Sequence, residues 1–236
     1  MTAAPKRFYR AASVEGTAAG FRVLLDGRPA RTPARKEVAV PSRPLAEALA
    51  AEWAAQADEI DPASMPLSRL VNSALDGVTG CEAEARAEIV KYAGSDLVCY
   101  RAAAPHEGEL ARRHAEAWDP VLAWARAELN VHLRVGQGIF PVAQPRAATA
   151  TIQAILAGLN PLALTAHHVM TTLTGSALLA LAHGRGRLTA EEAWAAAHID
   201  EDWQISQWGE DAEAKSRRKR RWGEMQAASR LLQLLG

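Results

Sequence analysis

Phe21-Arg22-Val23-Leu24-Leu25-Asp26-Gly27-Arg28-Pro29-Ala30-Arg31-Thr32 decides how the chain begins to fold. Asp-Gly between two short runs is a strong hairpin signal, because it supplies the two positive φ angles of a type I′ turn. Pro29 and Pro33 remove backbone donors, so the second strand is expected at a sheet edge. Outward from this hairpin, residues 7–40 read as strands. A helix should open near Ser42-Arg43-Pro44, where the missing proline N–H costs nothing. Leu45, Ala48, Leu49 and Trp53 then fall on one face of it.

From Pro66 the spacing of Leu67, Leu70, Val71, Ala74, Leu75 and Val78 is helical without a break. Gly77 and Gly80 mark a seam, which divides the chain into an N-terminal α+β domain over residues 1–78 and a helical domain over 79–236. Every later periodic segment reads as helix: 82–100, 107–129 with a kink or restart at Pro120, 147–159, 161–183, and from Leu188 onward. Residues 131–145, with Gly136, Gly138, Pro141 and Pro145, read as a loop. Thr189-Ala190-Glu191-Glu192 has the form of a capping box. The expected fold class is α+β, a small sheet-bearing domain followed by a larger all-helical one.

Composition limits the function. Hydrophobic residues at 49% and charged residues at 23% are those of an ordinary globular protein able to form a core. Lys plus Arg and Asp plus Glu each total 27, so there is no net field to attract nucleic acid or an anionic membrane. Cys81 and Cys99 are too few for a disulfide framework and do not form a C-x-x-C pair, which favours a reducing compartment. The N-terminus lacks the apolar core of a secretory signal and is too short to resemble an organellar presequence, so a cytoplasmic location is expected. Residues 161–184 contain no Asp, Glu, Lys or Arg, yet Thr165, His167, His168, Thr171, Thr172, Thr174 and Ser176 lie on all sides. That pattern suits a buried helix and not a membrane span.

Bond-making chemistry leaves no trace. There is no Gly-rich loop ending in Lys and Ser or Thr; Gly184-Arg185-Gly186-Arg187 and Gly136-Gln137-Gly138 read as turns. His167-His168 point about 100° apart on a helix and would not hold one metal ion together. His114, His183 and His198 read as packed or helix-end histidines, and no Ser or Cys stands in a nucleophile signature. Neither a catalytic residue, a metal nor a cofactor is expected.

The remaining signal is a surface one. Asp200-Glu201-Asp202-Trp203-Gln204-Ile205-Ser206-Gln207-Trp208-Gly209-Glu210-Asp211 sets an acidic, tryptophan-bearing stretch beside Lys215-Ser216-Arg217-Arg218-Lys219-Arg220-Arg221. In one helix from Thr189, positions 194, 201, 205 and 208 would share a face, placing Glu201 in a stripe with Trp194, Ile205 and Trp208. Tryptophan flanked by charge resembles an interface hot spot. The basic run could instead serve a nucleic-acid-binding module, but only Trp222 adjoins it and nearby acids offset its charge.

Several stretches, taken in order, resemble one family. They are Phe21 to Pro33, Ala51-Glu52-Trp53-Ala54-Ala55-Gln56, Met65-Pro66-Leu67, Tyr92-Ala93-Gly94-Ser95-Asp96-Leu97-Val98-Cys99-Tyr100-Arg101, Trp118-Asp119-Pro120 and residues 200–210. Together they are similar, over nearly the whole chain, to the ATP synthase assembly chaperones that bind the free alpha subunit in mitochondria and alphaproteobacteria. The resemblance implies a non-enzymatic protein that holds the alpha subunit of the F-type ATP synthase until the beta subunit replaces it; a monomer is expected, with no nucleic acid and no membrane insertion. It implies partner contacts near Asp200 and Glu201, extended here to Trp208, Glu210 and Asp211. Trp53, Asp26, Gly27, Asp96, Tyr100 and Arg101 are then expected as structural signature positions. The absence of a presequence favours a bacterial member.

Overall fold

The computed structural model describes residues 5–103, 108–138 and 140–236. Residues 1–4, Glu107 at the head of an expected helix and Ile139 in the expected loop lie outside the described residues. The chain divides into two compact units. One runs to Glu82 and takes in Asn160–Ala166 and Ala227–Gly236; the other comprises Ala83–Leu159 and His167–Gln226. Two later segments thus belong with the N-terminal unit, a grouping that no linear boundary at 78/79 expresses.

In the N-terminal unit, β1 (Ala12–Thr17) pairs antiparallel along its length with β2 (Gly20–Leu25), and β2 returns through Asp26-Gly27 to β3 (Arg28–Pro29). Asp26 at φ 47 and Gly27 at φ 75 are both left-handed, as the type I′ reading requires. β4 (Ala39–Val40) pairs with the start of β2. Val23 and Leu25 alternate inward onto α1 (Arg43–Ala54), which buries Leu45, Ala46, Leu49 and Ala50. Ser42 caps α1 by accepting the Leu45 N–H at 3.4 Å, and its hydroxyl donates to the Leu234 carbonyl.

α2 (Pro66–Ser73) is followed by a widened helical turn over Ala74–Val78, so the expected regular helix loosens at the seam. The N-terminal amides of α2 are not served by their own flanking residue. Glu52 of α1 supplies the cap, its carboxylate accepting the N–H groups of Leu67 at 2.8 Å and Ser68 at 2.7 Å. Gln56 fixes the intervening loop, accepting from the Asp61 N–H and donating to Glu52 O and Ser64 Oγ. The Ala-Glu-Trp-Ala-Ala-Gln motif is therefore a clamp between α1 and α2.

The second unit is mostly helical but not wholly so. α3 (Glu82–Ala93) stops seven residues short of the expected end at 100, because Asp96 turns its carboxylate onto the Val98 N–H and starts a tight turn, Leu97–Cys99. Tyr100–Arg101 (β5) then pairs in parallel with Gly136–Gln137 (β6), a short ladder inside the stretches expected to be helix and loop. Between them α4 (Gly108–Leu129) runs on through Pro120 with no restart. Buried Trp118, Val121, Leu122 and Ala125 on either side hold it, offsetting the lost hydrogen bond.

α5 (Arg146–Ala157) is followed by a helix pair where one helix was expected over 161–183. α6 (Pro161–Thr174) ends at Gly175 with φ +69, and Ser176 caps α7 (Ala177–Gly184) by accepting the Leu179 N–H at 3.0 Å. α8 (Ala190–Ala197) opens with the Thr189/Glu192 capping box and closes at His198. α9 (Ile199–Trp208) and α10 (Ala212–Leu235) follow. Trp118, Ile152, Leu156, Met170, Leu178, Leu179 and Leu181 are fully buried in this unit, and the Trp118 indole donates to Ala196 O at 2.7 Å. Among the described residues no helix is long and apolar enough to cross a membrane.

Candidate functional site

The acidic stretch begins where α8 ends. His198 is buried, its ring 3.8 Å from that of Trp194, and its Nδ1 donates to the Trp194 carbonyl at 2.7 Å. Burial depresses the His198 pKa, keeping the imidazole neutral. The chain turns at this residue, so Trp194 and Glu201 are not on one continuous helix. The expected stripe of Trp194, Glu201, Ile205 and Trp208 is broken accordingly: Trp194 is buried against Trp222, whereas Trp208 is 79% exposed.

Asp200, Glu201 and Asp202 occupy the first turn of α9, where the unpaired amides and the helix dipole favour negative charge. No residue of α9 is buried, so the helix presents its side chains to solvent on most of its circumference. Gly209, at φ +86, ends it and turns the chain into α10. Asp211 caps α10 by accepting the Ala214 N–H at 2.8 Å, and Glu210 pairs with Lys215 at 2.8 Å. Two of the acids expected to face a partner therefore also hold the α9–α10 turn in shape.

Trp208 borders two open clefts. One, of about 320 Å³, is lined by Glu201, Ile205, Glu210, Lys215 and Arg218. The other, of about 350 Å³, holds Tyr100, Leu110, Trp203 and Asp200 over His114. His114 is buried and stacked on Trp118 at 4.1 Å and 14°, with Nδ1 accepting the Ala102 N–H. That bond leaves the proton on Nε2, which faces Asp200 Oδ2 at 3.2 Å but is not aligned as a hydrogen bond. Glu201 lies 3.9 Å from His198 Nε2. Neighbouring acids of α9 thus look onto two different buried histidines; Glu201 is only three residues from His198, whereas the approach of Asp200 to His114 has no local sequence signal.

The basic run is partly tied into this structure. Lys215 pairs with Glu210, Arg218 with Asp202, and Arg221 donates to the Leu173 carbonyl at 2.6 Å. Half of its six cations are thereby committed internally, which weakens the case for a phosphate-binding face. His168 pairs with Glu88 at 2.6 Å. Among the described residues no group of three His, Cys, Asp or Glu side chains is placed to hold a metal ion.

The expected signature positions make internal contacts. Asp96 is buried, accepting the N–H groups of Val98 and Leu178 at 3.2 and 3.1 Å. Arg101 is buried too, donating to Val98 O at 2.7 Å and pairing with Asp119 at 2.6 Å, with its guanidinium over the Trp118 ring. The Tyr100 hydroxyl accepts from the Val142 N–H at 3.4 Å. Trp53, in the other unit, is half-buried and edge-on to Tyr9.

The site is thus an acidic helix, α9, with an exposed tryptophan at its C-terminal end. The description "ATP12 chaperone protein" belongs to the family that matches residues 6–126. This chain belongs to that family, and so it is a chaperone of ATP synthase assembly and not an enzyme. It is 24% identical over 220 residues to "Protein atp12, mitochondrial" of Schizosaccharomyces pombe, covering 88% of this chain and 75% of the relative. A crystal structure of a putative chaperone from Agrobacterium tumefaciens superposes with a TM-score of 0.93 at 46% identity, over 98% of this chain and 87% of the other. Atp12 from Paracoccus denitrificans superposes equally well, at 0.93 and 40% identity over 98% and 99% of the two chains.

Proposed function

We propose that the chain binds the unassembled alpha subunit of the F-type ATP synthase through the α9 face, prevents its aggregation and hands it over during assembly of the catalytic head. Asp200, Glu201 and Trp208 make the contact, with Glu210 and Asp211 shaping its C-terminal end. The observation that carries this reading is the exposure of Trp208, at 79% the most exposed large hydrophobic side chain among the described residues, in the midst of carboxylates.

The physics suits such a role. A ring subunit awaiting its neighbours exposes apolar surface that aggregates if left uncovered. An aromatic anchor gives affinity, and carboxylates around it give selectivity and on-rate. Moderate area allows the correct neighbour to displace the chaperone by competition, so no cofactor and no nucleotide cycle is required. The protein acts as a cytoplasmic monomer in this scheme.

The deciding experiment dilutes denatured alpha and beta subunits separately into buffer with the purified chain and follows light scattering. Selective protection of alpha is expected. Equal protection of both, or of beta alone, overturns the alpha assignment.

A further inference from the structure

The N-terminal unit carries its own aromatic cleft, which the α9 face leaves unused. Phe8 is 72% exposed and stands edge-on to Tyr9, with ring centroids 5.3 Å apart at 79°. Tyr9 in turn stands edge-on to Trp53 at 5.6 Å and 73°, and its hydroxyl donates to the Trp53 carbonyl at 2.7 Å. The opposite wall is the hairpin, with Leu25, Arg28, Pro29 and Arg31. Between the walls is an open cleft of about 770 Å³. That is room for a bulky apolar side chain together with its neighbours.

The walls are held in place. Both oxygens of Asp26 accept the Arg10 N–H at 3.0 Å, and one accepts the Ala11 N–H at 2.9 Å, strapping the segment that bears Phe8 and Tyr9 to the hairpin turn. Arg7 donates to the carbonyls of Tyr9 and Gln56. An exposed Phe alone would be unremarkable. Here it is the outermost member of a fixed aromatic series, and little ordering entropy remains to be lost when a partner arrives.

The charge around the cleft chooses the partner. The Asp26 carboxylate is already engaged by backbone amides, which lower its pKa. Arg28 is exposed, and Arg31, with its side chain 56% exposed, donates to the Arg35 carbonyl at 2.8 Å and lies 3.8 Å from Glu37. Two guanidinium groups therefore edge an aromatic cleft. Pro29 lacks an N–H, which disfavours an added strand along β3 and leaves recognition to side chains.

We propose that this cleft is a second docking surface, one that takes from another polypeptide an apolar side chain flanked by carboxylates. Phe8 and Trp53 cover the apolar group while Arg28 and Arg31 pair with the acids. The proposal rests on the chaperone reading, in that the polypeptide is the client subunit.

The test places a benzoylphenylalanine photo-cross-linker at position 8 of the full chain, mixes it with refolding alpha or beta subunit, and maps the cross-linked peptides by mass spectrometry. Cross-links are expected on a client segment richer in Asp and Glu than in Lys and Arg. Arg28→Glu, a surface change checked by its melting curve, should cut their yield roughly tenfold. The proposal is overturned by cross-links to basic segments, by a yield that Arg28→Glu leaves unchanged, by cross-links only to a second copy of the chain, or by none to either subunit. Capture of either subunit through an acidic segment supports the cleft, whereas the alpha-versus-beta preference in light scattering judges the proposed function separately.

Discussion

Asp96 Oδ2 accepts the backbone N–H of Leu178 at 3.1 Å, so a carboxylate from the turn after α3 caps a helix 82 residues away. Its other oxygen takes the Val98 N–H, and Ser176 and Ala177 donate as well. Burial nevertheless outweighs these donors and raises the Asp96 pKa from 3.8 to about 6.

The sign of the pH effect follows. The folded state holds the Asp96 proton up to a higher pH than the unfolded chain does, so the stability associated with it is present below about pH 4 and is lost as pH rises to about 6. Relative to Asp96→Asn, the wild-type protein should lose on the order of 2–3 kcal/mol at most across that window. Urea unfolding at pH 4, 5, 6 and 7 reads the difference, and a flat one shows that Asp96 titrates normally.

Glu52→Ala frees the Leu67 and Ser68 amides of α2, whose own flank offers no cap. A loss of about 1–2 kcal/mol is expected from the urea midpoint. Were the loss below a few tenths, water would be capping α2 as well as Glu52 does.

Arg101→Lys looks conservative and should not be. An ammonium cannot serve the Val98 carbonyl and Asp119 together while lying flat over Trp118. The expected cost is about 1–3 kcal/mol. Since Asp119 remains largely in water, Asp119→Ala should cost much less, and equal losses for the two variants would refute this division.

Trp53→Arg tests where Trp53 lies. The ring is half-buried on an open cleft, so the guanidinium can reach water and the loss should be about 1–2 kcal/mol, chiefly the edge contact with Tyr9. A loss near 4 kcal/mol, typical of a fully buried aromatic, would place the ring in the core instead.

On the α9 face, Trp208→Ala should change stability by less than about 0.5 kcal/mol, because the side chain is exposed. Glu201→Lys should likewise leave the fold intact. Both should reduce protection of the alpha subunit roughly tenfold, as loss of an anchor or a guiding charge does. Undiminished suppression of light scattering by either variant removes that residue from the contact.

Features carried by a few adjacent residues were legible in the chain. The Asp26-Gly27 hairpin, the Ser42-Arg43-Pro44 helix start and the Thr189/Glu192 capping box each depend on backbone angles and bonds within four residues, and the structure contains all three. Apolar periodicity placed the helices but not their ends. Gly175 and His198 break what spacing alone joined, and Asp96 cuts short the helix expected over 82–100.

The candidate site was half legible for the same reason. Composition showed an acidic, tryptophan-bearing stretch; only the turn at His198 decided that Trp194 goes inside and Trp208 outside. Sequence by itself determined the local turns, the helical faces and the charges available to a partner, since these follow from near neighbours. Tertiary structure decided which carboxylates become caps and which stay exposed. Glu52, Asp96 and Asp200 have similar chemistry, and they differ only in whether folding brings an unpaired N–H, or a buried histidine, within reach.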